Sequence, residues 1–207
     1  METVAVIDFE TTGLAPEEGA RATEIAVVLM REGQIVDRFQ SLMNARVRIP
    51  AFIEALTGIT NAMIRQAPPV AEVMRQAADF IGDTPLIAHN AAFDRKFLDT
   101  ELARVDRCRS QEFACTVLLS RRLYPKAPDH KLGTLVRYNG LPVAERAHRA
   151  LADAEMTAHL LARIEADLKT RYELPEVRHE LLRRIQKVSL ANLDGCIQSF
   201  KRRMQIG

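Results

Sequence analysis

Apolar and polar positions divide this chain into short strand-like runs followed by longer amphipathic stretches. Val4-Ala5-Val6-Ile7 is an uncharged, β-favouring run that predicts a central strand. Two acids, Asp8 and Glu10, stand at its far end, and Thr11-Thr12-Gly13 turns the chain, with glycine expected to supply backbone freedom. Beyond a loop at 15–19, residues 23–30 predict a second strand and 35–42 a third. The turn at 31–34 is short enough to make these two antiparallel neighbours. Residues 50–67 hold two short helical patterns, the second capped by Thr60, and Pro68-Pro69 ends them. Val70, Val73, Met74, Ala77 and Ile81 then recur at helical spacing, and Gly82 stops that helix.

The second half alternates strand and helix. Residues 84–88 read as a short buried strand broken at His89-Asn90. A helix opens at Ala91, with Phe97, Leu98, Leu102 and Val105 facing inward. Residues 113–118 predict another strand leading into 119–123, and Leu132, Leu135, Val136 and Tyr138 mark a helix stopped by Asn139-Gly140. A strong helix follows, carrying Thr157, Leu160, Leu161, Ile164 and Leu168. Residues 171–207 are helical again, with Leu181, Leu182, Ile185 and Val188 on one side and Pro175 interrupting the approach. Three strands followed by helices alternating with strands predict an α/β chain, a mixed sheet with helices packed on it.

Composition narrows the picture. The 207 residues suffice for one domain with a full core, and 47% hydrophobic content excludes global disorder. With Trp absent and aromatics at 5%, the core rests on Leu, Ile, Val, Ala and Met. A net charge of +2 does not by itself advertise a nucleic-acid partner. The charge is uneven, however: from Arg171 onward eight Lys/Arg face four Asp/Glu, so the residues before carry −2 and the tail +4. An acidic body with a basic tail and an ordinary solvated helical tail both fit. Three cysteines, without zinc-site spacing, suit a reducing compartment. No leader-like segment or membrane-length apolar stretch appears, which predicts a soluble, cytoplasmic protein.

Candidate chemistry lies in three places. Side chains i and i+2 of a strand share a face, so Asp8 and Glu10 project together. They are either solvated acids at a strand end or the two sides of a cation site, and hard divalent cations take such oxygen ligands. Asp94 falls in a first helical turn, where the helix dipole alone also favours an acid. His148 belongs on the loop entering the last strong helix and Asp153 near that helix's start, from where the two side chains can converge on one cleft.

These three places resemble the motifs of a known family. Asp8-Phe9-Glu10-Thr11-Thr12-Gly13-Leu14 is similar to the first motif of the DEDD superfamily of 3′–5′ exonucleases, and His89-Asn90-Ala91-Ala92-Phe93-Asp94 to the second. His148 followed by Asp153 is similar to the third, in the histidine-bearing DEDDh branch that includes the proofreading epsilon subunit of bacterial DNA polymerase III and ribonuclease T. Leu56-Thr57-Gly58-Ile59-Thr60 also resembles a segment of the proofreading members. The match covers about residues 1–168 and divides the chain into an exonuclease domain, 1–170, and a helical basic extension, 171–207.

The resemblance implies a ribonuclease H-like fold, a five-stranded mixed sheet whose first three strands are antiparallel. It implies two divalent cations, Mg²⁺ or Mn²⁺, held by Asp8, Glu10, Asp94 and Asp153, with His148 as general base. An imidazole, with an ordinary pKa of about 6.5, suits that role near neutrality. Thr11, Thr12, Gly13, Leu14, Asn90 and Phe93 are then the residues expected to hold the terminal nucleotides. Backbone amides near Thr11 and Thr12 would take the sugar and phosphate. Leu14 and Phe93 would contact base or sugar or else be core, and Asn90 would bond phosphate or cap the following helix. The expected activity is release of nucleoside monophosphates from single-stranded or frayed DNA 3′ ends. RNA ends under the same chemistry are the alternative, and a non-catalytic binding module is another, disfavoured by the intact acids and His148. The tail would bind nucleic acid, dock a polymerase or a second copy of this chain, or pack as a helical extension.

Overall fold

The computed structural model describes residues 2–144 and 148–206, with side chains through residue 203. The first apolar run is β1 (Thr3–Thr11), the centre of a five-stranded sheet. It pairs antiparallel with β2 (Ala22–Arg31), which pairs antiparallel with β3 (Gln34–Leu42). On the other side β4 (Leu86–Ala88) and then β5 (Phe113–Cys115) join in parallel, giving the order β3-β2-β1-β4-β5. This is the mixed sheet that the motifs imply, antiparallel over its first three strands.

Alternation along β1 sends its side chains to two cores. Val4 and Val6 pack with Ala26 and Val28 of β2 against the long helix α7 (Ala150–Tyr172), through Ala154, Ala158, Leu161 and Ile164. Ala5, Ile7 and Phe9 face the other layer, with α3 (Val70–Ile81) and α4 (Ala91–Ala103). Between β3 and α3, α1 (Ala51–Thr57) and α2 (Asn61–Gln66) pack around Ile49, Ile59 and Ile64. The expected Thr60 cap is present, its hydroxyl accepting from the Met63 amide.

One boundary moves. The strand expected over 113–118 ends at Cys115, and α5 (Thr116–Leu123) begins at once; α6 (Leu132–Tyr138) follows. Thr116 and Val117 favour a strand by propensity, but tertiary contacts override them. The Thr116 hydroxyl is fully buried against His89 Nδ1 at 2.8 Å, and Leu119 turns into the core. The outer edge of β5 is closed by a side chain: Gln186 Oε1 accepts from the Cys115 amide at 2.7 Å, and its Nε2 donates to the Phe113 carbonyl at 3.0 Å. A sheet edge is thereby shielded from pairing with another chain.

Gln186 follows α8 (His179–Ile185), and the tail ends in α9 (Leu193–Ile206). Leu181, Leu182, Ile185, Leu193, Ile197 and Phe200 are buried in the same core as Val4, Val28 and Leu161. His179 donates from Nε2 to the Leu86 carbonyl at 2.9 Å. Of the readings open for the tail, packing as a helical extension is the one visible in the fold. Val188 is only half-buried, its carbonyl accepting from Arg122 Nε at 2.9 Å. Among the described residues no helix is long and apolar enough to cross a membrane.

Candidate active site

The face of β1 that packs on α7 carries Val4 and Val6, then Asp8 and Glu10 in register with Ala26 and Glu24 of β2. Ala150, Ala154 and Ala158 let α7 lie close to the sheet, so its first turn, with Asp153, arrives over the acid end of β1. The His148 amide donates to Asp153 Oδ2 at 3.2 Å. Ligand atoms of Glu10, His148 and Asp153 lie within 4.8 Å of one another. Asp94 comes from the other layer: it is 2% exposed, and its Oδ1 accepts from the Phe9 amide at 3.2 Å, where the short β4 has already left the ladder. Asn90 and His148, which introduce the two helical acids, hold left-handed backbones at φ 68° and 60°. Such strain in non-glycine residues persists only where surrounding contacts enforce it.

The acids raise one another. Burial, then repulsion from Asp94, Asp153, Glu10 and Glu24, pushes the Asp8 carboxyl well above the ordinary range. Burial chiefly, with Asp153 next, pushes Glu10 to about 8. Burial also pushes Asp94 to about 8, against the hydrogen bonds it accepts, and raises Asp153 despite His148 beside it. A cluster of oxygen donors that resists ionisation on its own matches hard divalent cations, which relieve the repulsion. Ligand atoms of Glu10, His148 and Asp153 lie close enough together to hold one such ion, with the buried carboxylates of Asp8 and Asp94 in the same acidic cluster.

Two buried ion pairs hold this arrangement, and the motifs give no sign of either. Glu24, fully buried, accepts from Arg149 Nη2 at 2.7 Å and Nε at 3.1 Å, from the Ala150 amide at 3.0 Å and from Gln40 at 2.7 Å. Burial alone would raise Glu24, but these donors outweigh it and its carboxyl lies below the ordinary value. The pair ties the residue after His148 to the sheet. Likewise Arg21 grips Glu101 of α4 at 2.7 and 2.9 Å, tying the loop after β1 to the helix that carries Asp94. The legible signal for Glu24 is a lone acid inside the apolar run of β2.

The expected substrate residues divide. Leu14 is 80% exposed, so the core reading fails for it. Phe93 is half-buried against Phe97, ring centroids 4.9 Å apart, with part of the ring open. Thr11 turns inward, its hydroxyl donating to the Gly13 carbonyl at 2.6 Å. The Thr12 amide already donates to the Arg21 carbonyl at 2.9 Å, and the Thr12 hydroxyl accepts from the Arg21 amide. Just after the motif's threonines, the amides of Gly13, Leu14 and Ala15 have no acceptor among the described residues. Gly13 is not in a left-handed conformation; its lack of a Cβ matters because one would stand 3.3 Å from Cβ of Ala20. Asn90 occupies the N-cap position of α4, but its side chain makes no capping bond, so that reading falls. It lines a cleft of about 570 Å³ with His148, Asp153, Lys131, Arg137 and Met156. His89, the first residue of the second motif, is structural. Burial pushes its imidazole down to about 4; neutral, it donates from Nε2 to the His130 carbonyl at 3.1 Å and accepts at Nδ1 from Thr116.

A ribonuclease H-like sheet with acids from three distant segments gathered at one strand end is the framework of a carboxylate-based nuclease. A family model described as exonuclease matches residues 5–161. The PolC-type DNA polymerase III of Bacillus subtilis is 38% identical over 169 residues, which are 80% of this chain and 12% of that one. The chain thus spans about an eighth of the length of the curated relatives it matches. A solved structure of exonuclease X in complex with 5′ overhanging duplex DNA superposes with a TM-score of 0.70 at 29% identity, covering 88% of this chain and 99% of that one. E. coli exonuclease I in complex with a dT13 oligonucleotide shares the fold, with a TM-score of 0.72 at 16% identity, over 84% of this chain and 43% of that one. The chain belongs to the exonuclease family.

Proposed function

We propose that this chain is a metal-dependent 3′–5′ exonuclease releasing nucleoside 5′-monophosphates from single-stranded or frayed DNA ends. The observation that carries this reading is the convergence of Glu10, Asp153 and His148 within 4.8 Å, beside buried Asp8 and Asp94. Similarity to part of a DNA polymerase III chain and to exonuclease X supports DNA as substrate, and a DNA polymerase as partner.

Asp8, Glu10, Asp94 and Asp153 would hold two Mg²⁺ or Mn²⁺ ions. Bound there, such ions supply charge for the anionic phosphate and a more acidic water. His148 accepts the proton of the attacking water at an imidazole nitrogen, and its amide contact with Asp153 keeps it beside that carboxylate. Leu14, exposed after β1, packs on the last base, and the amides of Gly13 and Leu14 take the terminal sugar or phosphate. Phe93 and Asn90 face the nucleotide from the start of α4. These contacts read backbone and stacking, so sequence preference is weak.

The test is digestion of matched single-stranded DNA and RNA with Mg²⁺, Mn²⁺ or chelator, with products identified by chromatography. The reading expects nucleoside 5′-monophosphates, from DNA faster than from RNA, and none with chelator. Faster RNA digestion would move the substrate assignment. Internal fragments would overturn the exonuclease reading.

A further inference from the structure

The catalytic cleft does not end at the acids. Asn90 and Val117 line it, and the same two residues line a second groove of about 250 Å³ that runs past Ala92 and Arg95 of α4 to Leu118 and Arg121 of α5. Gln186, fixed at both ends of its amide to the β5 edge, also lines it. Arg95 and Arg121 are exposed and have no ion-pair partner among the described residues. Elsewhere on the surface, exposed acids sit beside many of the arginines; this groove has cations with no acid on its walls. Val117 and Leu118 give its lining an apolar part that can take a base or sugar.

We infer that this groove binds the single strand behind the scissile bond, with Arg95 and Arg121 each on a backbone phosphate. The inference rests on the exonuclease reading above and extends it: the strand enters over α4 and α5 and passes Asn90 to reach the acids. It also gives the tail a part in the substrate track, since Gln186 of the segment after α8 lines the groove. Arginines on phosphates fix register without reading sequence.

The experiment compares wild type with Arg95→Ala/Arg121→Ala on two substrates. One is a nitrophenyl ester of thymidine 5′-monophosphate, too short to leave the cleft. The other is a single-stranded oligonucleotide long enough to overrun it. The ester reports the catalytic centre alone: a wild type that cleaves neither substrate with Mn²⁺ sinks the exonuclease reading itself. A wild type that cleaves both permits the test of the groove. The loss should then fall on KM for the oligonucleotide, not on the ester. The slope of log affinity against log salt should flatten by about 1.4, the effect of two phosphate contacts on a single strand. Arg46→Ala/Arg48→Ala removes equal charge from a loop that lines neither cavity, and should leave both readouts near wild type. An unchanged oligonucleotide KM in the Arg95/Arg121 variant, or an equal loss in both double variants, would overturn the inference.

Discussion

At the scale of single residues, the proposed roles of the acids and His148 follow from where each stands. His148 is exposed, attached to the site through its backbone, and replaceable without unpacking anything. His148→Ala should lower kcat by about 10²–10⁴-fold, the usual worth of a general base, with Mn²⁺ affinity nearly kept. Asp8→Ala should lose both. Equal Mn²⁺ affinity in the two variants, measured by calorimetry, would contradict this division. Leu14→Ala should raise KM with a stability change within about 0.5 kcal/mol, because an 80% exposed side chain contributes little packing. A fall in thermal stability with KM unchanged would return Leu14 to a structural role. The carboxylates also set a pH dependence. Glu10 and Asp94, ordinarily at 4.5 and 3.8, are pushed to about 8 in the folded chain by burial first. The folded state therefore holds protons that the unfolded state has lost. Their contribution to stability is complete below the ordinary values and is lost as pH rises through 8. Without divalent cations, Tm should fall between about pH 4.5 and 8 through these groups, and Mn²⁺ should reverse the fall most strongly at the upper end. A Tm indifferent to Mn²⁺ at pH 8 would contradict the assignment.

At the scale of elements, the acids are placed by two short devices: the small-residue face of α7 and the Glu24–Arg149 pair. Arg149→Met leaves Glu24 buried without its bidentate partner, and should cost about 3 kcal/mol. The double variant Glu24→Gln/Arg149→Met should recover part of that stability but little of the turnover, since His148 loses its tether. Full recovery of turnover would make the pair merely structural. This is also where the sequence runs short. The strands and amphipathic helices were legible because periodicity maps directly onto burial: Val70, Val73, Met74, Ala77 and Ile81 all lie inside. Asp8, Glu10, Asp94, His148 and Asp153 stood out in the sequence because each lies in a compact motif. Glu24 carries only the weak signal of an acid in an apolar run, and Arg149, Arg21 and Glu101 carry none, because an ion pair between residues 125 or 80 positions apart leaves no local pattern. The early end of β5 was hidden for the same reason, since His89, against which the Thr116 hydroxyl is buried, is 27 residues away.

At the scale of the molecule, the sheet divides two cores, and the tail completes one of them. Leu181, Leu182, Ile185, Leu193, Ile197 and Phe200 are each nearly or fully buried. At roughly 1.5–3 kcal/mol for each such side chain, their removal is worth on the order of 10 kcal/mol, comparable to the whole stability of a domain. A chain ending at Tyr172 should lose cooperative unfolding by circular dichroism; a sharp transition close to the full chain's Tm would show that the body stands alone. With the tail in place, β1 carries its acids on the layer under α7, and α4 brings the fourth from the opposite layer. The groove past Arg95 and Arg121 leads away from that point. The central claim is that this convergence hydrolyses nucleic acid from the 3′ end. The measurement that meets it most directly follows 5′-labelled single-stranded DNA over time with Mn²⁺, wild type beside an Asp8→Ala protein shown to be folded. The account predicts a ladder shortening stepwise from the 3′ end in the wild type and intact DNA in the variant. No shortening by the wild type, or an equal ladder from the variant, would contradict it.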